Sequence, residues 1–222
     1  MAPVTPAPLR PGAFSPWLPL HWIIRSRCPL CHATGQACGC GSPVELPEGG
    51  LRGCEPLPWW AAGSYQGSLR AVILTLKRQQ RPHALAWLVD RAIAALPPLE
   101  RPPLLVPIPS WKRGPRANSL PLRMARCAAR RLGGRSLDLL EPTRPVLAQH
   151  HLGRDLRHSN RCRAFDCRST PRPDRRRPGL LLVDDIVTTG ATAMAGAEAL
   201  RQRGWPVLGM LCLARTPERE QR

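Results

Sequence analysis

The chain has little lysine, little acid, few aromatic rings apart from tryptophan, and no apolar run long enough to cross a bilayer. Lysine stands only at Lys77 and Lys112, so nearly all of the 33 basic residues are arginine; against 15 acidic residues they give a net charge of +18. That excess favours anionic partners such as nucleotides or nucleic acid. Set beside abundant Ala, Pro and Gly, it reads equally well as the compositional drift of a GC-rich genome. The apolar stretch Phe14 to Ile24 is interrupted by Pro16 and Pro19 and falls short of the roughly 20 residues a spanning helix needs, which excludes a membrane anchor there. It also lacks the pattern of a secretory signal. A cytoplasmic protein with reduced thiols is therefore expected, although the chain carries nine cysteines. No internal repeat divides it.

What the sequence does have is concentrated in Gly179 to Thr192. Leu180 to Val183 are apolar and are followed by Asp184 and Asp185, which predicts a short strand buried on both faces and ending in an acidic tip. A small-residue loop from Ile186 to Ala191 comes next, then a helix with Ala193, Ala197 and Leu200 on one face and Gly204 as its terminator. This order suits a sugar phosphate. Backbone N–H groups, the hydroxyls of Thr188, Thr189 and Thr192, and the positive end of a helix dipole can hold a phosphate monoester without a cation. Gly190 lets the backbone approach closely. Two adjacent carboxylates on a strand cannot face the same way, so they can accept hydrogen bonds from vicinal hydroxyls or organise Mg²⁺.

The remainder alternates helices with apolar strands. Residues 1 to 26 form a Pro-rich tail whose Trp17 to Ile24 part can pack as a short helix. Residues 27 to 62 hold five of the cysteines. Cys28-Pro-Leu-Cys31 has the spacing of a zinc knuckle, whereas Cys38-Gly-Cys40 is one residue tighter and Cys54 stands alone. Four of these thiols can close a site for Zn²⁺; the other reading is a degenerate finger without metal. From residue 63 to residue 216 the pattern is that of one domain. Leu69, Val72, Ile73 and Leu76 share a helical face, as do Leu85, Leu88, Val89, Ile93 and Leu96, with a break near Gln79 to Pro82. Leu104 to Pro109 reads as a strand ending in a Pro-rich turn, followed by Lys112, Arg113 and Arg116, and by a helix from Leu120 to Leu132 closed by Gly133-Gly134. Arg135 to Pro178 is basic and poorly patterned; His150, His151 and His158 there read as solvated loop residues. Pro206 to Ala214 is a last strand, and 217 to 222 a charged tail. The expected architecture is α/β, a parallel sheet with helices on both faces.

The stretch from Leu180 to Thr192 resembles the phosphoribosyl-pyrophosphate (PRPP) signature of type I phosphoribosyltransferases. Further residues fall in the order of the ComF/GntX family: Cys28-x-x-Cys31, Tyr65-x-Gly67-x-Leu69-Arg70 with Lys77, Val106-Pro107-Ile108-Pro109, Gln149-x-x-Leu152 with Arg157 and Asn160 before Ala164-Phe165, and the Asp184 loop. Over roughly residues 28 to 215 the chain is similar to these amidophosphoribosyltransferase-like proteins, which are associated with DNA uptake during natural competence. The resemblance implies a type I phosphoribosyltransferase-like fold with a small N-terminal cysteine-rich segment. It also implies that Ile186, Val187, Thr188, Thr189, Gly190, Ala191 and Thr192 hold the 5-phosphate, while Asp184 and Asp185 hold the ribose hydroxyls with Mg²⁺. Pro107, Lys112, Arg113 and Arg116 would meet the pyrophosphate, and Cys28, Cys31, Cys38 and Cys40 a zinc ion. Arg116-Ala-Asn118-Ser119 is shorter than the family's usual Arg-Gly-Phe-Asn-Gln, and the second cysteine pair departs from CxxC.

Two functions follow from different classes. One is a binding protein that keeps the PRPP or nucleotide site and works with single-stranded DNA or competence-machinery proteins. The other is an active Mg²⁺-dependent phosphoribosyltransferase that displaces pyrophosphate by a base or amine acceptor. The shortened segment after Arg116 tilts the reading toward binding.

Overall fold

The computed structural model describes residues 44, 46–109, 119–143, 164–170 and 178–217. The Pro-rich tail, the helix read at Trp17 to Ile24, Cys28 to Cys40, the cations after Pro109 and the histidine-containing segment lie outside the described residues.

Helical periodicity is realised where the sequence predicts it. α1 (Gly67–Arg78) buries Leu69, Val72, Ile73 and Leu76, and α2 (Pro82–Ala94) buries Leu85, Leu88 and Val89. Gln79 ends α1 in extended conformation, and Pro82 opens α2 in the first turn, where a missing N–H costs nothing. α3 (Leu120–Leu132) starts at Ser119, whose hydroxyl accepts from the Leu122 N–H, and stops at Gly133 in the left-handed conformation. No helix among the described residues is long and apolar enough to cross a membrane.

The strands extend beyond those read from sequence. β1 (Leu51–Gly53) and β2 (Trp59–Ser64) begin the main sheet inside the stretch 27 to 62 that the cysteines mark out. β3 (Leu104–Pro107) is fully buried, as expected. β4 (Arg135–Ser136), β5 (Leu140–Pro142) and β6 (Phe165–Cys167) arise in the segment that shows no pattern. β7 (Leu180–Val187), α4 (Ala191–Gln202) and β8 (Val207–Arg215) complete the order.

Six strands form one sheet in the order β1-β2-β8-β7-β3-β4, and β5 and β6 form a separate antiparallel ribbon. Only the β1–β2 pair of the main sheet is antiparallel. The architecture is thus mixed α/β with a mostly parallel sheet. Side-chain alternation divides the core. Leu104, Val106, Leu180, Leu182, Met210 and Cys212 pack with Ala193, Ala197 and Leu200 of α4 and with the β5–β6 ribbon. The alternate residues Leu105, Leu181, Val183, Leu211 and Leu213 are also fully buried, and α2 and α3 lie against β2, β3 and β7.

This order positions the site. From β3 the chain passes through α3 to β4 on one side, while β7 pairs with β3 on the other. Strand order therefore reverses at β3, and the crevice outside the carboxyl ends of β3 and β7 is where open α/β sheets take ligands.

Candidate functional site

Asp184 and Asp185 lie at the carboxyl end of β7. The strand runs farther than the sequence predicts: Ile186 and Val187, read as loop, are extended and paired with Ala214 and Arg215 of β8. The long β8 supplies ladder partners that outweigh the poor strand preference of aspartate. On the opposite side pairing with β3 ends at Pro107, in register with Val183, and the Ile108 N–H donates to the Val183 carbonyl at 2.9 Å. Beyond Val183 the edge of β7 has no partner strand on that side among the described residues.

Neighbours on an extended strand project to opposite faces, and the two acids meet different surroundings. Asp185 Oδ2 lies 2.9 Å from Lys77 Nζ in the last turn of α1; its side chain is 16% exposed against 39% for the lysine. Asp184 is partly buried, and its Oδ1 accepts the Asp185 N–H at 2.8 Å. Burial, and then the Asp185 charge, push its carboxyl up to about 7, while the Asp185 N–H and Lys77 act against the shift. Cys212, paired with Asp184 across the sheet, is fully buried and has its thiol pushed up by burial and then by the Asp184 charge.

The loop after the strand is only Thr188 to Gly190, because α4 begins at Ala191. Thr188, Thr189 and Thr192 are exposed. The Thr189 hydroxyl accepts the Ala191 N–H at 3.4 Å. Gly190 is the N-cap at φ 75°, without a side chain to occupy the first-turn amides, and no acid lies in that turn. The helix dipole therefore faces the loop with the Thr189 hydroxyl on its first amide and no acid to offset it. A Cβ at Gly190 would lie 2.7 Å from Pro56 Cγ, so the close approach expected there is made to the segment between β1 and β2.

Of the residues singled out in the sequence, Asp184, Asp185, Ile186, Val187, Thr188, Thr189, Gly190, Ala191 and Thr192 are contiguous at the β7–α4 junction, and Pro107 lies on the neighbouring strand. Lys112, Arg113, Arg116, Cys28, Cys31, Cys38 and Cys40 lie outside the described residues. No group of three or more His, Cys, Asp or Glu side chains able to hold a metal occurs among the described residues. The donor chemistry of two adjacent carboxylates nevertheless fits Mg²⁺, a hard cation that keeps waters and commonly takes one or two carboxylates together with substrate phosphates.

Sequence reasoning gave Lys77 no role at the site. Beyond its place in the family's order, its only signal is rarity, as one of two lysines in an arginine-rich chain. Arg123 of α3 was also missed: its guanidinium donates from Nη2 to the Leu76 carbonyl, tying the start of α3 to the end of α1 beside Lys77. Desolvation lowers the Arg123 pKa.

No family model matches the chain, and no curated protein matches it. Among solved structures it is similar to the crystal structure of TT1426 from Thermus thermophilus, at 20% identity and a TM-score of 0.35, over 64% of this chain and 86% of that one.

Proposed function

We propose that the β7–α4 junction binds PRPP or the 5-phosphate of a nucleotide, in a phosphoribosyltransferase-like protein of the ComF/GntX kind that works with the DNA-uptake machinery of the cytoplasm. The observation that carries this reading is the continuity of an acidic strand end, a threonine loop and a helix N-terminus with glycine at its N-cap at the point where strand order reverses. In this reading the first-turn amides of α4 and the hydroxyls of Thr188, Thr189 and Thr192 take the phosphate. Asp184 and Asp185 orient the ribose hydroxyls. Mg²⁺, when bound, neutralises phosphate charge beside these carboxylates. Zn²⁺ on Cys28, Cys31, Cys38 and Cys40, and contact of the arginine-rich surface with single-stranded DNA, belong to the same proposal.

Catalytic transfer of phosphoribose is the second reading, and the register of Pro107 with Val183 favours it. That pairing sets the turn expected to meet pyrophosphate directly beside the acidic tip. Lys112, Arg113 or Arg116 would then stabilise charge on the departing pyrophosphate.

Calorimetric titration of Mg²⁺·PRPP into the wild type and into the Asp184→Asn, Asp185→Asn double variant tests the shared site. Saturable binding that the variant loses is expected. A folded wild type that takes up no PRPP and no 5′-nucleotide would overturn both readings, and pyrophosphate release with added base or amine acceptors separates them.

A further inference from the structure

A cation already sits on the acidic tip. The Lys77 ammonium lies 2.9 Å from Asp185 Oδ2, and α1 is held at that end by the Arg123 guanidinium on the Leu76 carbonyl. The carboxylate is the more buried partner and the ammonium the more exposed, so the lysine head can turn outward while Asp185 stays in place. Asp184, the other carboxylate, has Oδ1 engaged by the Asp185 N–H. A bare divalent cation approaching this pair must displace the ammonium from Asp185 and then tolerate it as a like charge. A phosphorylated ligand arriving with the cation changes that balance, because its oxygens give Lys77 a new anionic partner.

We infer that Lys77 is a positioning residue that holds the bare divalent cation off Asp185 and admits it together with a phosphorylated ligand. The inference rests on the proposed PRPP site and adds to it an order of loading. Coupling between two ligands is reciprocal: if the phosphorylated ligand improves cation binding through Lys77, the cation improves ligand binding by the same factor.

The test uses Mn²⁺ alone, followed by the electron paramagnetic resonance signal of the free ion, and PRPP with and without Mn²⁺, followed by calorimetry. Wild type, Lys77→Met and Lys77→Arg are compared, with thermal melts confirming that each is folded. Lys77→Met is expected to bind Mn²⁺ alone about tenfold more tightly and to lose a similar factor of the coupling with PRPP, within the range usual for linked sites. Lys77→Arg, which keeps the charge, should restore the wild-type pattern. A Lys77→Met variant with wild-type affinity for Mn²⁺ alone overturns the inference, as does the absence of Mn²⁺ binding in all three proteins. If Lys77→Met gains Mn²⁺ affinity while none of the proteins binds PRPP, the PRPP reading falls and the exclusion of the bare cation by Lys77 stands.

Discussion

Asp184 gives the site a pH dependence that can be read in stability alone. Its carboxyl moves from an ordinary value of 3.8 to about 7 on folding, so between those values the folded protein retains a proton that the unfolded chain has lost. Stability must then fall as pH rises from about 4 to about 7 and level off above. At about 1.4 kcal/mol per unit the upper bound is about 4 kcal/mol. Melting curves from pH 4.5 to 8.5 should show this decline in the wild type and a much flatter profile in Asp184→Asn; parallel profiles would contradict the burial described here. The adjacent carboxylates were legible in the sequence because a charged pair at the end of an apolar strand is costly to place. Their unequal environments were not. Which helix end overhangs which strand end is a tertiary fact, and nothing in the spacing of Lys77 and Asp185 announces their contact.

At the scale of elements, the junction depends on a left-handed turn packed against a neighbouring loop. Gly190 at φ 75° occupies a region that costs other residues about 1–2 kcal/mol, and an added methyl would press on Pro56. Gly190→Ala should therefore lose about 1–3 kcal/mol in urea unfolding and weaken Mg²⁺·PRPP binding as the loop shifts; an unchanged midpoint would contradict this packing. α1, α2, α3, β3 and β8 were legible because each carries an uninterrupted period or apolar run with clear stops. β2 was hidden: Ala61, Ala62 and Gly63 have weak strand preference, and they are extended because β8 lies alongside. β4, β5 and β6 are two or three residues long, too short for alternation to register. The end of β7 was misread as loop for a related reason, since the length of β8 decides where pairing stops.

Across the whole molecule, the alternation of strands and helices announced a parallel sheet, and the acidic tip announced which edge would carry a site. The strand order that reverses at β3 turns these into one location. Composition contributed less, because a charge of +18 describes the surface in general and names no partner. Both functional readings of this protein depend on a sugar phosphate sitting at the β7–α4 junction with its hydroxyls toward the acids. The decisive observation is a crystal structure of the protein grown with Mg²⁺·PRPP. The 5-phosphate is expected within hydrogen-bond distance of the amides and hydroxyls from Thr188 to Thr192, with the ribose over Asp184 and Asp185. Ordered PRPP bound elsewhere, with this junction left to solvent, would contradict that placement.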